Sequence, residues 1–296
     1  MFKGEGPDLR EIQSAIERSE NMKLQAEQAL LRDDQEQANR LFQKALAHIV
    51  DIDKNKNPLA DKLIIIQGEI ESQLRPLNNI VEVQEPAIAF EIPQDQGEFI
   101  TKELMLLEGK IYAFDASSLS YYTYDVSQNI KTISQVPKAI SQASSIEDTL
   151  VTFASPASFM SYGNSQEWKV DSFSLIDSDV VLEGMIGFAG SVYFYDSIGG
   201  RIIKYATPLL NPSTPISWVS PSSDRKPSGA IGMAIDGNIW IMTGEREFQR
   251  YFTGTYKESL QPIVYPTLET VSIFKTGTNL PHLYLLDPEG KRVVLL

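Results

Sequence analysis

Catalysis or metal binding in this chain would need a nucleophile, a ligand cluster or a phosphate cradle, and the residues for each are sparse. There is no cysteine, which removes thiolate nucleophiles, disulfides and Cys-based zinc sites. Of the two histidines, His48 sits among apolar residues of a helix-like stretch and His282 opens a strand-like one. Neither has a second histidine nearby, so packing or surface roles are expected rather than ligation. Asp51, Asp53, Asn55 and Asn57 have the spacing that opens a calcium loop. Such a loop wants Gly at its sixth position and Glu at its twelfth, where this chain carries Lys56 and Lys62. An inter-helix turn with Asn57 as cap is therefore the expected role.

Three aspartates, Asp115, Asp196 and Asp287, each close a similar strand-like segment. Carboxylates at equivalent points of a repeat could ring one face, but such residues more often bond backbone N–H groups in turns, and that role is favoured here. The stretch 197–200 lies between strands and is too short to cradle a phosphate, so it is expected to be a hairpin turn. No G-x-S-x-G, H-E-x-x-H, P-loop or G-x-G-x-x-G pattern occurs. Neither a cofactor nor a metal is expected. Tyr121, Tyr122 and Tyr251 are the candidates for exposed aromatic contact area, although core packing competes for them.

Charge narrows the partner classes. Lys and Arg total 26 against 39 Asp and Glu, a formal net charge of -13. That balance opposes binding to nucleic-acid phosphates or to an anionic membrane surface. The acidity itself is expected to serve solubility. No segment approaches the ~18–20 apolar residues of a membrane-crossing helix, and the opening MFKGEGPDLREIQ lacks the apolar core of a secretory signal. The chain as given is expected to be soluble.

The elements that must position these residues change character along the chain. Residues 1–78 have helical periodicity. Pro7 and Asp8 suit a helix start, and Ile12, Ala15, Ser19, Met22, Ala26 and Ala29 form a narrow stripe of mostly small side chains. Asp34 can cap a second helix with Gln37 completing a capping box, and Ala38, Leu41, Phe42, Ala45, Ile49 and Ile52 make its buried face. A third helix is expected with Asn57 as cap, Pro58 at its first position, a stripe of Leu63, Ile66, Ile70 and Leu74, and Pro76 at its end. The pair has the small-residue spacing of a tetratricopeptide-like hairpin, but one unit is too few for a repeat array. A two- or three-helix hairpin or bundle follows, with a coiled-coil spacer or stalk as the favoured form.

Residues 79–96 are a linker containing the alternating stretch 87–92, a possible closing strand. From 97 to 296 one pattern recurs: GKIYAFD, EDTLVTF, GSVYFYD, GNIWIMT and PHLYLLD. Aligned on Tyr112, Val151, Tyr193, Trp240 and Tyr284, the repeats are spaced 39, 42, 47 and 44 residues apart. A period of about 40–50 residues with several short strands per unit marks a β-propeller blade. An inner strand precedes each segment (ELMLLEGK, GMIGFAGS, AIGMAIDGN) and a third follows (SYYTYDV, GRIIKYA, EFQRYFT, KRVVLL). The expected fold is mainly β: a propeller of about five blades behind an N-terminal α-helical region. The second blade, at 139–175, is weakest because Ser and Ala take its aromatic positions. The fifth lacks an outer strand, so either 87–92 completes it or the chain is a fragment, the favoured alternative.

The order of AEQALLRDDQEQANRLFQKALAHI, IIIQGEIESQLRPLNNI and strands such as KIYAFD and HLYLLDPEGKRVVLL resembles the C-terminal region of membrane-tethered bacterial proteins related to PPM-type serine/threonine phosphatases. The resemblance covers nearly the whole chain but rests on helix and blade patterns, not on a catalytic signature. It implies a sensing or scaffold part outside the cytoplasm, and further blades. No phosphatase acidic motif is present, so that activity is carried over to no residue.

The expected function is a non-catalytic binding or sensor module that recognises a protein partner or a small extracytoplasmic ligand. Two alternatives stand beside it. One is a propeller hydrolase of lactonase or phosphoesterase type, which needs convergent acids around a central metal. The inner strands are mostly apolar or small, with Glu183 the only acid expected near them. The other is a purely architectural protein–protein scaffold.

Overall fold

The computed structural model describes residues 9–54, 57–81, 85, 87–88, 90–92, 99–115, 118–154, 158–163, 167–206, 214–244, 246–262, 264–266, 268 and 270–296. It divides into two compact units, 1–87 with 263–268, and 88–262 with 269–296.

The first unit contains α1 (Leu9–Leu30), α2 (Gln35–Ala47) and α3 (Ala60–Leu77). Asp34 caps α2 as its sequence suggests, its carboxylate accepting the Gln37 N–H at 3.0 Å. The short connection turns α2 back along α1, and the buried Ser19 hydroxyl donates to the Ala45 carbonyl at 2.8 Å. Ala26, Ala29, Ala38 and Ala45 are fully buried there, so small side chains allow close approach of the two helices. α3 adds Leu63, Ile66, Ile70 and Leu74 to the same core, with Tyr265 from the returning segment packed against it. Burial pushes the Tyr265 phenol up to about 12. One shared core across three helices makes this a compact bundle rather than a coiled-coil spacer, whose single seam would leave the rest of each helix exposed. Asn57 accepts the Leu59 N–H at 2.9 Å, and α3 then begins at Ala60 and runs one residue past Pro76. Pro7 and Asp8 lie outside the described residues. No described helix is long and apolar enough to cross a membrane.

The second unit is a five-bladed β-propeller whose last blade has three strands. Blade one holds β1 (Thr101–Leu107), β2 (Lys110–Asp115), β3 (Ser120–Asp125) and β4 (Ile130–Gln135). Blade two holds β5 (Gln142–Ile146), β6 (Thr149–Ala154), β7 (Ser158–Tyr162) and β8 (Trp168–Ser172). Blade three holds β9 (Glu183–Phe188), β10 (Ser191–Asp196), β11 (Arg201–Ala206) and β12 (Ile216–Ser217). Blade four holds β13 (Ala230–Ile235), β14 (Ile239–Thr243), β15 (Phe248–Phe252) and β16 (Thr255–Leu260). Blade five holds β17 (Ile273–Lys275), β18 (Tyr284–Asp287) and β19 (Arg292–Leu295). Every sheet is antiparallel and pairs its strands in chain order, the register following the repeats that the sequence displays.

The first strands neighbour one another in succession, β1 beside β5, β5 beside β9, β9 beside β13 and β13 beside β17. The charge of Lys275 on β17 also acts on Glu103 of β1, which relates the last blade to the first. Apolar layers fill the spaces between blades: Tyr112, Phe114 and Leu150 between one and two, Phe153, Phe159 and Phe194 between two and three, Tyr193, Ile235 and Ile239 between three and four. Phe248 meets Phe274 edge-on at 5.5 Å between four and five. Blade two, weakest in its pattern, forms a complete sheet. Gly187 explains how tightly β9 can lie against β5, since a Cβ there would come 1.9 Å from the Ser145 carbonyl oxygen.

Among the described residues, 87–88 and 90–92 supply no strand to blade five. Instead, Phe90 stacks on Tyr124 of blade one at 4.9 Å, and the Glu91 carbonyl accepts from Lys131.

Candidate ligand pocket on blade three

The three tyrosines singled out in the sequence are not exposed. Tyr121 is 4%, Tyr122 8% and Tyr251 0% accessible, so core packing takes all three. Tyr121 packs with Tyr112, Phe114 and Trp168, Tyr122 meets Phe99 edge-on, and the Tyr251 hydroxyl donates to Gln249 Oε1 at 2.9 Å. The physical reason is register: each lies on the third strand of a blade, on a face covered by neighbouring aromatic side chains.

The repeated aspartates take the turn role. Asp196 is buried and accepts the Gly199 N–H at 2.9 Å on one oxygen and Arg201 Nε at 2.8 Å on the other. Asp287 repeats this with Gly290 at 3.1 Å and Arg292 at 2.9 Å. Asp115 accepts from Ser118 and from the Ile100 N–H. A D-x-x-G-x-R signature in DSIGGR and DPEGKR therefore encodes a buried carboxylate that ties a hairpin turn to an arginine on the next strand. His48 closes α2 as its C-terminal cap, and His282 is exposed beside Tyr284. The calcium-like spacing runs through residues 55–56, which lie outside the described residues. Among the described residues no group of three or more His, Asp or Glu side chains is placed to hold a metal ion.

On inner strands the acids number more than the sequence suggested. Glu103 on β1 joins Glu183 on β9, and register places both, with Gln142 on β5, opposite the penultimate residues of the second strands. Desolvation raises the Glu103 carboxyl above its ordinary value, with Lys275 and Lys102 opposing. Glu183 accepts the Ser197 N–H at 3.0 Å, and Gln142 donates to the Leu182 carbonyl at 2.8 Å. This row was legible only through register, because an acid inside a mostly apolar strand gives no spacing signal.

The feature that sequence reading missed is a cleft of about 450 Å³ beside the β10–β11 turn. Gly199, Gly200 and Arg201 line it from the turn, Ser217 from the last strand of blade three, Val219, Ser220 and Pro221 from the segment after it, and Asp179 and Lys226 add charges of opposite sign. Its parts are held from behind. Arg201 is shared by Asp196 at 2.7 Å, Asp177 at 2.8 Å and Asp179 at 3.6 Å. Hydrogen bonding to Asp196 is the first cause of its raised pKa. Gly200 has a positive φ of 61°, and a Cβ there would be strained and stand 2.5 Å from the Ser228 hydroxyl, so glycine lets the following loop close onto the turn without displacing that side chain. The Gly229 N–H to Ser197 carbonyl bond of 3.0 Å fastens that closure.

The loop is also pinned to blade four. Arg225 makes a bidentate pair with Glu247 at 2.9 and 2.6 Å, donates to Ser259 at 3.1 Å and lies over the Tyr256 ring at 5.8 Å. Gln249 donates to Glu247 at 3.1 Å, and Ser220 N–H reaches the Gly254 carbonyl at 2.8 Å. Hydrogen bonding from Ser259, then from Gln249, with the Arg225 charge, holds the Glu247 carboxyl below its ordinary value against the opposing effect of burial. Lys226, next in the chain, is exposed and makes no hydrogen bond or ion pair among the described residues.

No protein-family model matches the chain, and no curated protein matches it in sequence. Among solved structures it is similar to PorZ, an essential bacterial surface component of the type-IX secretion system of Porphyromonas gingivalis, at 13% identity and a TM-score of 0.42, over 66% of this chain and 26% of that one. A protein of unknown function from Bacteroides thetaiotaomicron VPI-5482 is similar at 13% identity and a TM-score of 0.48, over 66% of this chain and 58% of that one. Glutaminyl cyclase of Myxococcus xanthus is similar at 9% identity and a TM-score of 0.45, over 67% and 92%. This chain thus spans less than two thirds of the first two. Likenesses at this level carry no functional argument, and the propeller stands on its own strand order. None of them links the chain to PPM-type phosphatases.

Proposed function

We propose that the propeller is a non-catalytic binding or sensor module and that the cleft on blade three seats a small ligand. The observation that carries this is a cleft whose walls are already braced while Lys226 in it has no partner among the described residues. Arg201 and Arg225 are saturated by Asp196 and Glu247, so neither is free to reorganise. Lys226, Ser217, Ser220 and Asp179 remain to face an incoming molecule. A preformed cavity with a few oriented polar groups suits small-molecule recognition, because little ordering entropy is lost on binding. Extracytoplasmic placement in a membrane-tethered, phosphatase-related parent, which the sequence resemblance implies, belongs to this same proposal.

Native mass spectrometry after incubation with a defined metabolite mixture tests it. Wild-type protein is expected to retain a small molecule unchanged in mass, and Ser217→Trp, which fills the cleft from an exposed position, is expected to lose it. Retention of nothing, equal retention by the variant, or steady conversion of the bound molecule would each refute the reading.

A further inference from the structure

Resting on that assignment of the cleft, we infer that its ligand is a small zwitterion carrying one carboxylate and one ammonium group, the chemistry of a free amino acid. Charges of both signs line the cleft, and its lysine forms no ion pair with its acids among the described residues. Three carboxylates, Asp177, Asp179 and Asp196, converge on the single guanidinium of Arg201. Asp196 is buried and committed to the turn, whereas the side chains of Asp177 and Asp179 are 58% and 77% exposed. One arginine cannot neutralise three acids, so this cluster keeps a negative surplus. Asp179, the most weakly paired of the three at 3.6 Å, is the one that lines the cleft.

Lys226 also lines the cleft, near Gly200 of the turn, and its ammonium has no partner among the described residues. A phosphate or other dianion would satisfy Lys226 but face the surplus carboxylates, and like charge at short range opposes it. A simple amine would suit Asp179 and be repelled by Lys226. A molecule bearing both charges answers Asp179 and Lys226 at once, with Ser217 and Ser220 as hydrogen-bonding neighbours. Val219 and Pro221 leave apolar surface for a side chain. A sugar is the remaining polar class, and it lacks here the aromatic face on which a ring would stack, since no aromatic residue among the described ones lines the cleft.

The test is calorimetric titration and thermal-shift measurement with each of the common amino acids singly, beside glucose and inorganic phosphate. At least one amino acid is expected to bind. Its methyl ester, which loses the carboxylate, and its N-acetyl form, which loses the ammonium, should each bind at least tenfold more weakly. Lys226→Met should weaken the amino acid at least tenfold, and so should Asp179→Asn. Both side chains are exposed, so the ligand-free melting temperature should hold and show that the fold is intact. Binding of glucose or phosphate but of no amino acid, with Ser217→Trp still abolishing it, overturns the ligand class and leaves the cleft standing. An amino acid bound equally by all three variants overturns the site itself. No binding by any amino acid overturns this inference.

Discussion

Replacing Asp196 by alanine is expected to destabilise the propeller by about 2–4 kcal/mol, for reasons that can be worked from its surroundings. The carboxylate is 1% exposed and receives the Gly199 N–H and the Arg201 guanidinium. Losing one partner of a buried ion pair costs about 3–5 kcal/mol when the other charge is stranded. Arg201 is not stranded here, because Asp177 and Asp179 still reach it and its side chain is 22% exposed. That lowers the expected cost but leaves the Gly199 N–H without its acceptor and opens a small void. Asp196→Asn keeps an acceptor for Gly199 and removes only the charge, so about 1–2 kcal/mol is expected. Urea unfolding followed by tryptophan fluorescence reads this directly, since Trp168, Trp218 and Trp240 all lie in the propeller unit. With a denaturant slope of about 2–3 kcal/mol per molar, the midpoint should fall by about 1 M for alanine and by roughly half that for asparagine. An alanine variant within about 0.5 kcal/mol of wild type would refute the buried-turn account, because surface substitutions fall in that range.

Three further outcomes follow from the same contacts. Tyr251→Phe should cost about 1–2 kcal/mol in urea unfolding, since it strips a fully buried hydroxyl from Gln249, while leaving ligand retention by the cleft unchanged. Gly187→Ala should unfold the propeller or lower its melting temperature severely, because the new methyl meets backbone at 1.9 Å; Gly68→Ala, in the open middle of α3, should stabilise by about 0.5–1 kcal/mol, and equal effects would contradict the packing described. Glu247 has a folded pKa below its ordinary 4.5, so the unfolded chain binds its proton more readily, and its contribution is full above pH 4.5 and fades as pH falls through the lower folded value. Below pH 4.5 wild type should therefore lose stability faster than Glu247→Gln, and parallel curves would argue against the Arg225–Glu247 brace.

The recurrence of Tyr112, Val151, Tyr193, Trp240 and Tyr284 was enough to number the blades, because a blade is a local object whose strands pair with their chain neighbours. The helical stripes were equally legible, down to Asp34 as a cap. Burial of individual tyrosines was not. Tyr121 and Tyr251 look like surface aromatics only while their faces are unassigned, and which face a blade turns toward its neighbour depends on packing between distant segments. The acid Glu103 was overlooked for a related reason, since its significance comes from alignment with Gln142 and Glu183 on other strands.

The D-x-x-G-x-R signature marks the boundary between the two kinds of knowledge. Sequence alone suggested that Asp115, Asp196 and Asp287 serve turns, because Ser118, Gly199 and Gly290 lie three residues on and such local bonding needs no long-range information. The bonds from Ile100 to Asp115 and from Thr270 to Asp287 came only with the fold. Only the tertiary structure decided that Arg201, already engaged by Asp196, also gathers Asp177 and Asp179, and that the glycine turn meets a loop braced by Arg225 on Glu247. The ion-pair partners are 22 to 24 residues apart in the chain, in segments without a shared motif. Local pairing builds each blade from its own residues, whereas the cleft exists where loops from successive segments are brought together, and no single stretch of sequence contains it.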